Sequence, residues 1–252
     1  MTLRRFDMTP ALLTAIGRDA EGEELIAEAT RMGMITDTVY RSDDLPTDVY
    51  MAIEGANGLI AAIADAHSLE RAGDKILRPL ADGRLGTVNA PYTGPVALDG
   101  NLTTQLLRDI AHSPLFAKAD LRVAPASPGK AERLLPLLDH PRATLYVNLE
   151  EAGILCQRNF KSAHEAAQGL LARGARRVLV TDGGRAAADG CATAGDVIAS
   201  APPAVLVTRV TGAGDTFMAA HLVAERRGSA RDKALEHALI AAARYVSGEL
   251  AT

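Results

Sequence analysis

The stretch Val210-Thr211-Gly212-Ala213-Gly214-Asp215-Thr216-Phe217, near the C-terminal end, is the most informative part of the chain. Small residues lead into an aspartate, and the apolar helical pattern Phe217, Met218, Ala219, Ala220, Leu222, Val223 follows at once. A small-residue loop that opens a helix leaves backbone N–H groups unpaired at the positive end of the helix dipole, where an anion can settle. Asp215 at that mouth would repel the anion if its task were binding. It is better placed to take a proton from a nucleophile attacking the anion's phosphorus. The combination points to phosphoryl transfer to a hydroxyl, although the same residues also suit a plain glycine turn capped by Asp215.

Bulk properties narrow the setting. A chain of 252 residues can bury a full core. With 48% hydrophobic and 23% charged residues, its composition is ordinary for a soluble globular protein. The net charge of −4, from 27 basic and 31 acidic side chains, comes with no long basic run and argues against nucleic acid as a partner. Cys156 and Cys191 form no metal-ligand spacing and fit a reducing compartment. No apolar run approaches a membrane span, and the first residues do not read as a signal peptide. The expectation is a cytoplasmic protein. Neither a G-x-x-x-x-G-K-[ST] loop nor a G-x-G-x-x-G fingerprint after a strand occurs, and the six histidines do not cluster.

Strand and helix patterns alternate. Strands are expected at 11–16, 35–40, 49–53, 59–64, 95–98, 121–124, 144–147 and 178–180, with an Asn57-Gly58 hairpin turn between the 49–53 and 59–64 pair. Helices are expected at 20–32, 103–112, 130–138, 162–173, 215–227 and 230–248, with Ser162 and Glu165 as a capping box. Such alternation implies a mainly parallel sheet covered on both faces, read here as a single domain over 1–252.

Three strand ends carry polar groups, where open α/β sheets bind ligands. Asn148 and Glu151 follow the 144–147 strand; a carboxylate at a helix start explains them equally well. Thr181-Asp182-Gly183-Gly184 follows the 178–180 strand and also reads as a simple turn. Asp99-Gly100-Asn101-Leu102 follows the 95–98 strand, where Asp99 suits a helix cap as well.

Taken together, these segments resemble the ribokinase (PfkB) family of carbohydrate kinases. The likeness is strong at Thr211–Asp215 and diffuse elsewhere, from about Thr2 to the C-terminus. It implies a three-layer α/β/α sandwich with a small β lid, whose remnant would be residues 35–64. Asp215 would be the catalytic base, with Gly212, Ala213 and Gly214 as the anion hole. Thr181, Gly183, Asn148 and Thr211 would touch the nucleotide. Glu151, with Asn148, would serve magnesium through ordered water. The implied cofactors are ATP and Mg2+. Ala186 stands where the family often has another glycine. The D-x-N-L pattern at 99–102 resembles the pseudouridine kinases within the family, as do segments 61–65 and 125–130 and Val210. On that likeness Asp65, Asp99 and Asn101 would face the acceptor, a sugar or nucleoside.

The family pattern normally opens with a strand, lid strands and a helix beginning at G-G-x-x-x-N. Here residues 2–7 resemble the tail of that helix, so the expectation is an N-terminally truncated chain or one that lacks those parts. Arg209 stands where members that bind a monovalent cation commonly have Asp, and a guanidinium there disfavours such a site. The leading reading is an ATP-dependent kinase of a primary hydroxyl, with pseudouridine as first acceptor. The alternatives are a simple-sugar kinase acting on ribose, fructose or ketodeoxygluconate, and a nucleotide-binding pseudokinase. Lid strands of this family often pair between subunits, which implies a homodimer.

Overall fold

A six-stranded sheet positions everything that follows. The structure is a computed structural model, and it describes residues 1–55 and 58–249. In chain order the elements are β1 (Ala15–Gly17), α1 (Ala20–Arg31), β2 (Tyr40–Ser42), β3 (Val49–Gly55), β4 (Gly58–Asp65), α2 (His67–Ala72), β5 (Pro95–Asp99) and α3 (Thr104–His112). They continue with β6 (Asp120–Ala124), β7 (Ala143–Asn148), α4 (Leu149–Cys156), α5 (Ala163–Ala172), β8 (Arg177–Thr181), β9 (Ala187–Cys191), β10 (Asp196–Ser200), α6 (Ala213–Arg226) and α7 (Arg231–Val246).

The strand order is β10-β9-β8-β7-β6-β5. Strands β5 to β8 run parallel, each pair separated by helical crossovers, while β9 and β10 return antiparallel. Leu121, Val123, Leu145, Val147, Val178 and Val180 face α3, α4 and α5 in one apolar layer. Tyr146, Leu179 and Ala187 face α6 and α7 through Phe217, Ala220, Leu235 and Ala238 in the other. Alternate residues of one strand thus enter opposite cores, which makes the three-layer α/β/α sandwich.

Several expectations need correction. The 11–16 run is a strand only from Ala15, and Ala11 makes a single bridge to Ile35. The 35–40 strand is displaced to Tyr40–Ser42, because Thr36 to Val39 close a turn through Val39 N–H and Thr36 C=O at 3.0 Å. Strand β2 pairs in parallel with β1, and β3 with β4 as an antiparallel hairpin, so residues 35–64 contribute to two separate small sheets. The Asn57-Gly58 turn lies outside the described residues. The 130–138 helix is 3-10 geometry over Pro128–Leu137, since Pro136 inside it has no N–H to donate. At α5 the Ser162 hydroxyl does accept from Glu165 N–H. The Glu165 carboxylate, however, accepts from Lys161 N–H and Arg158 instead of closing the box.

Helix α6 is oriented by its contacts with the strands. Phe217 packs edge-on against Tyr146 toward the end of β7, and Glu225, two turns further on, bonds Arg122 in the middle of β6 and Arg177 at the start of β8. The helix therefore runs against the strands, and its N-terminus arrives at the carboxyl edge of the sheet.

Candidate active site

The α6 terminus is built by Gly212. Its φ of 88° is left-handed, and a Cβ there would stand 2.6 Å from the Tyr245 hydroxyl, so only glycine fits. That hydroxyl donates to Thr211 C=O at 2.8 Å and fixes the loop. Thr216 bonds back to Gly212 C=O through its N–H at 3.0 Å and its hydroxyl at 2.9 Å. Ala213 N–H is spent on Val210 C=O at 3.0 Å. Among the described residues, the N–H groups of Gly212, Gly214 and Asp215 have no hydrogen-bond partner. Nothing lies within 4 Å of where a Gly214 Cβ would be. The result is an open set of amide donors at a positive helix end.

The ends of β7 and β8 meet in register, with Asn148 opposite Thr181. Asn148 is the N-cap of α4. Its Oδ1 accepts from Glu151 N–H at 2.9 Å while Glu151 Oε2 accepts from Asn148 N–H at 2.8 Å, a complete capping box. Burial pushes the Glu151 carboxyl up, and the Asn148 N–H bond holds it partly back. Beyond Thr181 the chain turns through Gly183, φ 57°, with nothing within 4 Å of its Cβ position. An open cleft of about 820 Å³ is lined here by Asn148, Gly153, Gln157, Arg158, Thr181 and Gly183. Residues 212–215 do not line it: the cleft opens on the α4 side, and α6 arrives on the opposite face of the same edge.

At the end of β5, Asp99 and Asn101 hold each other. Asp99 accepts from Asn101 N–H at 2.8 Å and from its side-chain amide at 2.9 Å, and Lys130 Nζ donates to Asn101 Oδ1. Asp99 is therefore not the cap of α3; the cap is Thr103, which accepts from Leu106 N–H at 3.1 Å. Asp215 is open to solvent, yet the protein around it removes enough hydration to push its carboxyl above the ordinary aspartate value. The charge of Asp99 adds to that rise. Asp65 ends β4, and its carboxylate lies 2.5 Å from His67 Nδ1. The guanidinium of Arg209 lies 4.0 Å from the centre of the Tyr245 ring, and its Nε donates to Tyr245 C=O at 2.8 Å.

Some residues here escape sequence reasoning. Lys130 reaches Asn101 across 29 positions, and Arg133 ties Glu70 of α2 to the loop carbonyls after β5. Gln157 and Arg158 reach the cleft because Gln157 adopts a left-handed φ of 55° that ends α4. No motif announces these contacts; they depend on tertiary placement.

The donor set also defines which groups it can hold. Among the described residues no three His, Cys, Asp or Glu side chains are arranged around a metal. Magnesium does not require such a cage, since it keeps several waters and leans on one or two carboxylates and substrate phosphates. Glu151 Oε1, which bonds no protein group among the described residues, fits that role. The free amides of Gly212, Gly214 and Asp215 and the bare ground over Gly183 and Gly214 suit the phosphates of a nucleotide. No helix among the described residues is long and apolar enough to cross a membrane.

Comparison with known proteins bears on the same features. The profile of the "pfkB family carbohydrate kinase" matches residues 2–251. A search of curated proteins finds no match. Among solved structures, a carbohydrate kinase from Agrobacterium tumefaciens is 24% identical with a TM-score of 0.77, over 100% of this chain and 79% of that one. Ribokinase from Arabidopsis thaliana, complexed with ribose and ATP, is 23% identical with a TM-score of 0.78, over 100% and 79%. A ribokinase II-type protein from E. coli, in complex with ATP and Mg2+, is 16% identical with a TM-score of 0.76, over 98% and 79%. These likenesses extend to the fold.

Proposed function

The chain belongs to the pfkB family of carbohydrate kinases and is a phosphotransferase acting on a sugar hydroxyl, and from that premise we propose an ATP-dependent kinase of a primary hydroxyl on a sugar or nucleoside. The observation that carries the reading is the start of α6: unpaired Gly212 and Gly214 amides beside Asp215, at the carboxyl edge of the sheet. Asp215 accepts the proton of the attacking hydroxyl, and its raised pKa strengthens it as a base near neutrality. The Gly212 and Gly214 N–H groups receive the charge that gathers on the transferred group, with Ala213 shaping the turn through Val210. Thr181, Gly183, Asn148 and Thr211 hold the nucleotide, and Glu151 with Asn148 orients metal-bound water. When bound, ATP supplies the phosphoryl group and magnesium neutralises charge on its phosphates.

On the acceptor side, Asp99 and Asn101 sit where their polar ends can read hydroxyls or a base edge, supported by the charge coupling of Asp99 to Asp215. Asp65, at the end of β4, would face the same acceptor. Pseudouridine is the first acceptor to test, on the 99–102 pattern. Ribose is the second, because the Arabidopsis relative is a ribokinase complexed with ribose and ATP. The exposed apolar face of the lid hairpin, with Met51 opposite Ile63 and flanked by Val49 and Ile53, supports a homodimer through the lid.

A coupled ADP-release assay with ATP and magnesium against pseudouridine, other nucleosides, ribose, fructose and ketodeoxygluconate tests this. Saturable turnover with one acceptor supports the reading and names the substrate. ATP binding without turnover on any acceptor overturns it in favour of a nucleotide-binding pseudokinase.

A further inference from the structure

The opposite, amino-terminal edge of the sheet holds a second cavity, of about 330 Å³, that the kinase reaction does not use. It lies where α3 ends and where the chain enters β6 and β7, and His112, Ser113, His140 and Arg142 give it its polar lining. His140 is 9% exposed. Its Nδ1 accepts from Arg142 N–H at 3.3 Å, so the neutral ring carries its proton on Nε2. That Nε2–H bonds no protein group among the described residues, and His140 lines the cavity. His112 has the other tautomer: Nδ1 lies 2.8 Å from Arg108 C=O, an acceptor, which leaves the Nε2 lone pair free. The Arg142 Nε donates to Ala119 C=O at 2.9 Å, and this fixes the side chain while both Nη atoms keep their donors free of protein partners.

The cavity therefore offers a guanidinium fork, one buried imidazole N–H and one imidazole lone pair, with no carboxylate in its lining. We propose that it binds a phosphate dianion, either hydrogen phosphate or a phosphomonoester held by its phosphate group. Phosphate oxygens accept from Arg142 Nη and His140 Nε2, and a P–OH proton, where present, is donated to His112 Nε2. The site is separated from the α6 terminus by the length of the strands, so it is an effector or cargo site and not part of the transfer machinery. It does not depend on the catalytic assignment of Asp215.

The test is imidazole 15N NMR of the full chain, titrated separately with sodium phosphate, sodium sulfate and glycerol 3-phosphate. Saturable shifts of His112 and His140 together are expected with phosphate. Sulfate, which has no proton at neutral pH, should bind several-fold more weakly. Arg142→Ala should weaken phosphate binding by about tenfold or more while ADP release in the kinase assay stays unchanged. Arg142→Gln, which preserves packing volume, guards against misfolding of the alanine variant. A response to glycerol 3-phosphate stronger than to inorganic phosphate assigns the site to phosphomonoesters, and the reverse assigns it to the free ion. Unshifted imidazoles, or wild-type phosphate affinity retained in both Arg142 variants, overturns the proposal; phosphate that binds only at the α6 terminus gives that result.

Discussion

The hydroxyl of Tyr146 lies 2.8 Å from His221 Nδ1, and both side chains are buried between the sheet and α6. Arg122 Nη1 already donates to the same hydroxyl at 2.8 Å, so the phenol proton points at Nδ1 and the His221 proton sits on Nε2. That Nε2–H has no partner among the described residues. An imidazolium in this place would face Arg122 and Arg177 as well as Glu225, and burial adds the larger penalty, so the His221 pKa falls to about 4.

Acid should destabilise the fold through His221. The unfolded ring takes a proton near pH 6.5, whereas the folded ring resists until about pH 4. Between those values the unfolded state binds more protons, so stability is complete above pH 6.5 and declines as pH falls toward 4. The contribution is roughly 2–3 kcal/mol over that window. Denaturation midpoints of wild type and His221→Gln, compared at pH 7 and pH 4.5, measure it. The variant should lose clearly less stability on acidification; parallel losses would remove His221 from the account.

Asp215→Asn should keep nucleotide affinity and lower turnover by about 10³-fold or more, since the amide cannot accept the hydroxyl proton while the Gly212 and Gly214 donors are untouched. Titration calorimetry with ATP–magnesium beside the ADP-release assay separates the two effects. Near wild-type turnover in this variant would exclude Asp215 as the base.

The Asp99 charge should appear in the pH profile of that base. A base must be ionised, so activity falls as pH drops through the raised Asp215 pKa. Because part of that rise comes from Asp99, Asp99→Asn should move the acidic limb to lower pH, even where it raises KM for the acceptor. Profiles of kcat for wild type and variant check the direction. An acidic limb that stays in place would mean the two carboxylates do not share one field.

Glu151→Gln separates capping from metal work. A glutamine carbonyl can still accept from Asn148 N–H, so the loss of stability should stay within about 1 kcal/mol. The magnesium concentration for half-maximal activity should rise, because the charge that orients metal-bound water is gone. An unchanged magnesium requirement would leave Glu151 a capping residue alone.

Much of this architecture is legible in the residues themselves. The four parallel strands β5 to β8 were readable because each is a short apolar run with helical periodicity on either side. The β9–β10 hairpin was not, since Ala187-Ala188-Asp189-Gly190-Cys191 has no alternation; Asp189 is fully buried there, held by Arg177 and Arg231. The helix start that the sequence offered as the other explanation of Asn148 and Glu151 is α4, which their capping box opens. At the 212–215 loop, the small residues before an apolar helical pattern announced a glycine turn opening a helix. They could not show that Ala213 N–H is consumed by Val210, which only the turn geometry reveals.

The two glycines of that loop should behave in opposite ways. Gly212→Ala forces a methyl group to 2.6 Å from the Tyr245 hydroxyl at a left-handed φ of 88°, so it should lose about 1–3 kcal/mol of stability as well as activity. Gly214 has no positive φ and nothing within 4 Å of its Cβ position. Gly214→Ala should therefore hold its melting temperature or raise it slightly, because alanine favours the first turn of α6 by up to about 1 kcal/mol. Its methyl group, however, would occupy the space in front of the free amides, so kcat/KM for ATP should fall by about tenfold or more. Thermal melts and steady-state kinetics on both variants decide the matter. A Gly214→Ala protein that is stable and fully active would show that no phosphate approaches this turn closely.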